Sequence, residues 1–264
     1  MCSNHTQSAS WVDYPSASKV LDFMQQMVDL PRQQRMPNLM LIGDIGNGKT
    51  SILQRLYTKF GKPYISTDGY YTAPIRLIEA PPMAGEKELY MRLIASLGLP
   101  YKSRDSKLSL RQQAIYALRE ARVRLLLIDD IHEALTGSSQ QQAVFMNILK
   151  YLSNELMLPI VLCGTKDSIH LLHTHPQHAS RFDIAELHTW ENDANFKALL
   201  TGFESTLSFK ESSQLAEDEK SRLIYNACNG TIGDIRRFIN ECAVTATKSK
   251  QEAITLQIIK NTAV

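Results

Sequence analysis

The stretch Leu39-Met40-Leu41-Ile42-Gly43-Asp44-Ile45-Gly46-Asn47-Gly48-Lys49-Thr50-Ser51-Ile52-Leu53 decides the fold. Its middle matches G-x-x-x-x-G-K-[ST] at every fixed position, from Gly43 to Thr50. The four apolar residues before it read as a buried strand. Ile52, Leu53, Leu56, Tyr57 and Phe60 after it recur at helical spacing. A strand, a glycine-rich turn and a helix in that order form a phosphate-binding loop. The glycines let backbone N–H groups turn inward around a β-phosphate, beside the positive end of the helix. Lys49 is expected to reach the β- and γ-phosphates, and the Thr50 hydroxyl to ligate Mg²⁺. Gly43, Asp44, Gly46, Asn47, Gly48 and Ser51 complete the expected nucleotide-binding set.

Working outward, apolar runs alternate with helical patterns. Strands are predicted over residues 38–43, 74–80, 124–130, 159–165 and 183–187. Helices are predicted over 16–30, 49–60, 86–97, 108–122, 140–156 and 168–175. Strand–helix alternation of this kind gives a parallel α/β sheet flanked by helices. After Trp190 the strand signal stops, and residues 193–205, 216–228, 233–247 and 255–261 read as helices. The expected fold class is therefore α/β, a P-loop NTPase with a small C-terminal helical lid. The expected division is an N-terminal helix and linker over 1–36, a nucleotide-binding core over 37–190 and the lid over 191–264.

The partner carboxylate follows from the run Leu125-Leu126-Leu127-Ile128-Asp129-Asp130. Asp129 is expected at the C-terminal edge of its strand, where ligands bind in such sheets, holding the metal; capping the next helix is compatible with that. Hydrolases of this build usually carry a water-polarising glutamate at the next position. Here it is Asp130, one methylene shorter, and Glu133 one turn on is the alternative.

Composition excludes other classes. The chain has 264 residues, 44% hydrophobic and 21% charged, so it is neither disordered nor collagenous. No apolar run approaches the ~20 residues that span a bilayer. The polar start lacks a signal peptide's apolar segment, so a cytoplasmic location and no membrane partner are expected. Cys2, Cys163, Cys228 and Cys242 form no C-x-x-C pair, which argues against a zinc knuckle or a disulfide framework. His170, His173, His175 and His178 crowd into nine residues, but Pro176 interrupts them and no acidic or Cys ligand joins them, so a polar helix end is the preferred reading.

The net charge of +2 is small, yet residues 100–124 carry seven Lys/Arg against two acids, whereas 190–264 balance nine basic with ten acidic side chains. Lys102, Arg104 and Lys107 are read as a loop able to neutralise phosphates without reading bases; a solvated surface loop is the bland alternative. Arg111 and Arg122 are expected on one helix face, extending that patch or meeting a neighbouring subunit. Tyr64, Tyr70 and Tyr71 flank Gly69 in a predicted loop without interleaved Lys or Arg.

In order, the remaining polar landmarks resemble those of an AAA+ ATPase. Gly164-Thr165 ends the fourth strand where that family places its sensor 1 residue. Ala179-Ser180-Arg181-Phe182 resembles the element that supplies an arginine finger to a neighbour's ATP. Gly233-Asp234-Ile235-Arg236-Arg237 resembles the sensor 2 motif, with Arg236 as the γ-phosphate contact. Taken singly, Thr165 could cap a helix and either arginine could be a surface charge. Within AAA+, Met36-Pro37-Asn38 before the P-loop strand, Ile128-Asp129-Asp130-Ile131-His132, Val161-Leu162-Cys163-Gly164-Thr165 and Asn229-Gly230-Thr231-Ile232 are similar to the TniB/TnsC group of transposition regulators. That resemblance implies ATP and Mg²⁺ as cofactors and assembly into rings or helical filaments on double-stranded DNA. It also implies a transposase and a TniQ-type target selector, including CRISPR-linked ones, as partners. An AAA+ replication helicase loader and an ATP-switched scaffold with weak hydrolysis are the alternatives.

Overall fold

The structure, a computed structural model, describes residues 11–173 and 176–263. Its strands are β1 (Asn38–Gly43), β2 (Tyr64–Ile65), β3 (Tyr71–Thr72), β4 (Ile75–Glu79), β5 (Leu125–Asp129), β6 (Ile160–Gly164) and β7 (Phe182–Leu187). Its α-helices are α1 (Pro15–Asp29), α2 (Lys49–Leu56), α3 (Glu86–Ser96), α4 (Lys107–Glu120), α5 (Ser139–Leu156), α6 (His170–His173), α7 (Pro176–Ala179), α8 (Ala194–Glu204), α9 (Asp218–Ala227), α10 (Ile232–Lys248) and α11 (Leu256–Thr262). Two compact units emerge. One holds Lys19–Ile45 and Lys49–Leu187; the other holds His188 onward, the loop residues Gly46–Gly48 and the described residues up to Ser18.

The first unit is built on a five-stranded sheet in the order β4-β5-β6-β1-β7, parallel throughout. Every residue of β1, β5 and β6 is buried, as expected of central strands covered on both faces. Strand β7 is an edge, and its Asp183, Ile184 and Glu186 are exposed. The main core gathers Met40, Ile42, Leu126, Ile128 and Leu162 of the sheet with Tyr90, Leu93 and Ile94 of α3 and Phe145 and Leu149 of α5. Helix starts are set by side-chain caps: Ser106 accepts from Ser109 N, and Ser138 forms a capping box with Gln141.

The topology matters for chemistry. Strand β6 lies between β1 and β5, with Ile42 opposite Gly164 and Ile128 opposite Leu162. The C-terminal ends of three adjacent strands therefore bring Gly43, Thr165 and Asp129 to one edge of the sheet, where parallel sheets bind ligands.

Several local expectations change. The predicted helix 49–60 ends at Leu56 and widens into a π turn over Tyr57–Gly61. That turn presents the Gly61 carbonyl to Arg76 Nη2 at 3.1 Å. Arg76 is only 3% exposed although it lies on an edge strand, and its other donors meet the carbonyls of Ile75 (2.6 Å) and Ser96 (3.0 Å). The tyrosine loop is a hairpin, β2 paired antiparallel with β3. The predicted helix 168–175 divides into a 3₁₀ turn over Lys166–Ile169 and the short α6. His175 and the side chain of His178 lie outside the described residues, and among those described no His/Cys/Asp/Glu group could hold a metal.

The second unit carries α8 to α11. Asp193, Thr231 and Thr255 cap α8, α10 and α11. Phe196, Leu199, Leu200, Ile224, Ile235, Ile239 and Ile259 are buried. Glu204 ties the α8–α9 connection, accepting from Ser212 Oγ (2.7 Å), Gln214 N (2.8 Å) and Leu215 N (2.9 Å). No helix among the described residues is long and apolar enough to cross a membrane.

Candidate nucleotide site

The phosphate loop starts where β1 ends. Gly46 and Gly48 have φ of +78° and +82°, a left-handed backbone that L side chains adopt only with strain. Space is scarce there too. Within the second unit, a Cβ on Gly48 would lie 3.0 Å from Ile232 Cγ2 and 3.2 Å from the Tyr14 hydroxyl, and one on Gly46 3.3 Å from Thr231 Oγ1. Gly233 N donates to Gly46 O at 2.9 Å, and Asn47 Nδ2 donates to His188 O at 3.0 Å. The start of α10, which carries Arg236, therefore packs on the glycine turn. No local pattern links those two sequence segments.

Lys49 Nζ donates to the carbonyls of Gly43 (2.9 Å) and Asp44 (2.8 Å), which fixes the ammonium at the mouth of the loop. Thr50 and Ser51 lie in the first turn of α2 and are exposed. Asp129 is 5% exposed, and its Oδ1 accepts the N–H of Asp130 at 2.9 Å. The buried Cys163 thiol feels the charges of both Lys49 and Asp129. Burial pushes it well up, the charge of Asp129 and a hydrogen bond with that carboxylate push the same way, and the Lys49 charge opposes them. Within the first unit, a lysine held on the Gly43 and Asp44 carbonyls and a buried carboxylate at the end of β5 are groups that suit a polyphosphate and a divalent cation.

Asp130, not Asp129, takes the N-cap place of the following 3₁₀ helix, Ile131–Thr136, with φ 50° and ψ 39° and no side-chain cap bond. Its carboxyl sits above the usual range: burial is the main cause, then the charge of Asp129, with Glu79 and Glu133 adding and His132 opposing. His132 lies between the two candidate water-polarising acids, with Nδ1 3.9 Å from Asp130 Oδ1 and Nε2 3.8 Å from Glu133 Oε1.

Thr165 stands at the N-cap of the turn after β6, and its side chain makes no capping bond there. Arg181 precedes β7 and donates through Nη1 to Asn154 Oδ1 of α5 at 2.9 Å. In the second unit Arg237 pairs with Asp234 at 2.8 Å, one residue beyond Arg236.

The basic segment is less uniform than its charge count. Lys102 and Arg104 are exposed in the loop before α4. Lys107 is not in that loop: it opens α4 and pairs with Glu86 at 3.3 Å, because Ser106 caps the helix one residue earlier. Arg111 and Arg122 do not share a helix face. Arg111 stacks on Tyr151, whereas Arg122 lies past the helix end at φ 53°, over Tyr70 and paired with Asp68 at 3.1 Å. Arg119 pairs with Glu155 at 3.1 Å, and Arg124 donates to the Val28 and Leu30 carbonyls.

Among solved structures, the chain is similar to Cdc6p of Pyrobaculum aerophilum, at 17% identity and TM-score 0.68, over 97% of this chain and 69% of that one. It is similar to the Thermotoga maritima RuvB Holliday junction branch migration motor, at 17% identity and TM-score 0.57, over 95% and 68%. It is also similar to the Aeropyrum pernix ORC1 protein in complex with DNA, at 12% identity and TM-score 0.63, over 94% and 63%. No curated protein matches. The profile of the bacterial TniB protein family matches residues 3–192, well over half of the sequence. The chain belongs to the TniB family, and its fold is that of the AAA+ P-loop ATPases.

Proposed function

We propose that this chain is an ATP-dependent regulator of DNA transposition that assembles on double-stranded DNA and links a TniQ-type target selector to a transposase. The carrying observation is the convergence of Gly43, Asp129 and Thr165 at the ends of adjacent parallel strands, with Lys49 Nζ held on the Gly43 carbonyl, in a chain of the TniB family. Gly43, Asp44, Gly46, Asn47, Gly48 and Ser51 cradle the phosphates through backbone and hydroxyl groups, and Lys49 neutralises the β- and γ-phosphates. Thr50 and Asp129 would hold Mg²⁺, which would supply charge neutralisation for phosphoryl transfer. Asp130 or Glu133 orients the attacking water, and Thr165 steadies it. Arg181 serves a neighbouring copy's site, and Arg236 meets the γ-phosphate, so hydrolysis depends on assembly. The division into a linker over 1–36, a core over 37–190 and a lid over 191–264 belongs to the same proposal.

DNA binding is supported by kinship of fold with a protein in complex with DNA and with a branch migration motor. Lys102 and Arg104 are its leading contacts, with Lys107 beside them. One observation favours a second reading, an ATP-switched scaffold that hydrolyses slowly: the water-polarising position holds the shorter Asp130 on a left-handed backbone.

The test measures nucleotide affinity by calorimetry, and DNA assembly and transposase copurification in the presence of ATP. Lys49→Ala abolishes all three. Unchanged nucleotide affinity would overturn the site; intact ATP-driven assembly without transposase capture would overturn the pathway. Turnover measured with and without DNA separates the regulator from the scaffold.

A further inference from the structure

A second lysine meets Asp44 besides Lys49. Lys49 approaches the Asp44 carbonyl, whereas Lys166 Nζ lies 3.0 Å from Asp44 Oδ2 and 3.4 Å from Glu186 Oε1. The topology makes this contact specific. Lys166 follows β6, Asp44 follows β1, and Glu186 lies on β7 in register with Ile42 of β1. Strand β1 is flanked by β6 and β7, so the Lys166 side chain crosses the end of the P-loop strand from one neighbour to the other. The hydrogen bonds to both carboxylates raise the Lys166 pKa, so the ammonium stays charged throughout the neutral range.

A carboxylate at the second position of a phosphate-binding loop is a liability, because it repels the polyanion that the loop must hold. We propose that Lys166 is a positioning residue for nucleotide binding: it neutralises the Asp44 carboxylate and ties it toward β7, away from the phosphates. The proposal rests on the nucleotide-binding reading above. Lys166 is the residue after Thr165, so the same turn sets both the tie and the hydroxyl offered to the site.

The experiment is a double-mutant cycle on Mg²⁺-dependent binding of a fluorescent ATP analogue to the full chain. Lys166→Met is expected to weaken binding about tenfold, the size of one unneutralised charge beside a partly exposed polyanion. The loss shrinks as salt is raised, since screening weakens the released repulsion. Lys166→Arg retains wild-type affinity. In an Asp44→Asn background, Lys166→Met has less than about a twofold further effect, because the loop carboxylate is gone and only the contact with Glu186 on β7 is lost. An equal loss in both backgrounds, or a loss independent of salt, overturns the proposal and leaves Lys166 a structural tie only. No loss in Lys166→Met also overturns it. Lys49→Ala is the control for the underlying reading. If that variant binds normally the nucleotide site itself is wrong, whereas loss in Lys49→Ala with no coupling between Lys166 and Asp44 rejects this inference alone.

Discussion

Asp130 is placed so that backbone strain and catalysis can be measured separately. It is a non-glycine residue at φ 50°, its N–H is satisfied by Asp129 Oδ1, and its carboxylate makes no cap bond. Two substitutions that both delete the carboxylate, Asp130→Ala and Asp130→Gly, therefore differ only in the Cβ that this backbone disfavours. The left-handed conformation costs an L residue about 1–2 kcal/mol, and glycine's larger unfolded-state entropy returns about 0.5–1 kcal/mol of that. Glycine should consequently exceed alanine by about 1 kcal/mol, reversing the order seen in regular helices and strands. In a chain of this size that difference moves the melting midpoint by about 2–4 °C. Thermal and urea unfolding of the nucleotide-free protein provide the measurement, alongside steady-state ATP turnover. Both variants should lose turnover equally, and Asp130→Glu should raise it by extending the carboxylate one methylene. Alanine as stable as glycine would refute the strain. Normal turnover in both variants, with loss in Glu133→Ala, would move the water-polarising role to Glu133.

Replacing Lys102 and Arg104 by Ala should weaken DNA binding regardless of duplex sequence and reduce the slope of log affinity against log salt by about 0.9 per lost phosphate contact; fluorescence anisotropy reads it, and an unchanged slope moves the DNA path elsewhere. Adding Lys107→Ala should contribute less, because that amine is already paired with Glu86. Burial raises the Glu204 pKa, yet hydrogen bonds from Ser212, Leu215 and Gln214 outweigh it and hold the carboxyl below its usual value of 4.5. A depressed carboxyl stabilises the fold above its unfolded pKa and loses that contribution as pH falls through the folded value. Glu204→Gln should therefore cost about 1 kcal/mol at pH 7, a modest figure because solvent partly screens the carboxylate. Urea unfolding against pH should show that deficit shrinking as the pH drops below 4.5 and vanishing past the lower folded value; a deficit independent of pH would refute the linkage. Arg76→Met should cost about 3 kcal/mol in urea unfolding by stranding the Gly61 and Ser96 carbonyls, and a neutral result would show that the widened turn after α2 relaxes without it.

Much of the fold was legible because its signals are contiguous. The P-loop is one short unbroken segment, and its flanking strand and helix adjoin it. The central strands announce themselves because burial on both faces demands unbroken aliphatic runs such as Leu125 to Ile128. Helix starts follow equally local chemistry that the sequence reading did not use: Ser138 accepts from Gln141 N and Thr231 from Asp234 N. The hairpin at Tyr64 and Tyr71 escaped because two residues per strand carry no measurable alternation.

The sequence by itself therefore determined the α/β class and the phosphate-loop segment, since both depend on interactions between near neighbours along the chain, whereas the approach of Asp129 to that loop rests on the strand order β5-β6-β1. Tertiary structure decided which charges are engaged. Of the basic residues between 100 and 124, it paired Lys107, Arg119 and Arg122 with acids from other elements and tied Arg124 to backbone carbonyls. It also brought Lys166, Asp44 and Glu186 together, although the first two lie far apart in sequence. The reason is physical: a charge's partner is chosen by which helices, loops and strands pack side by side, and that comes from tertiary packing rather than from any local pattern.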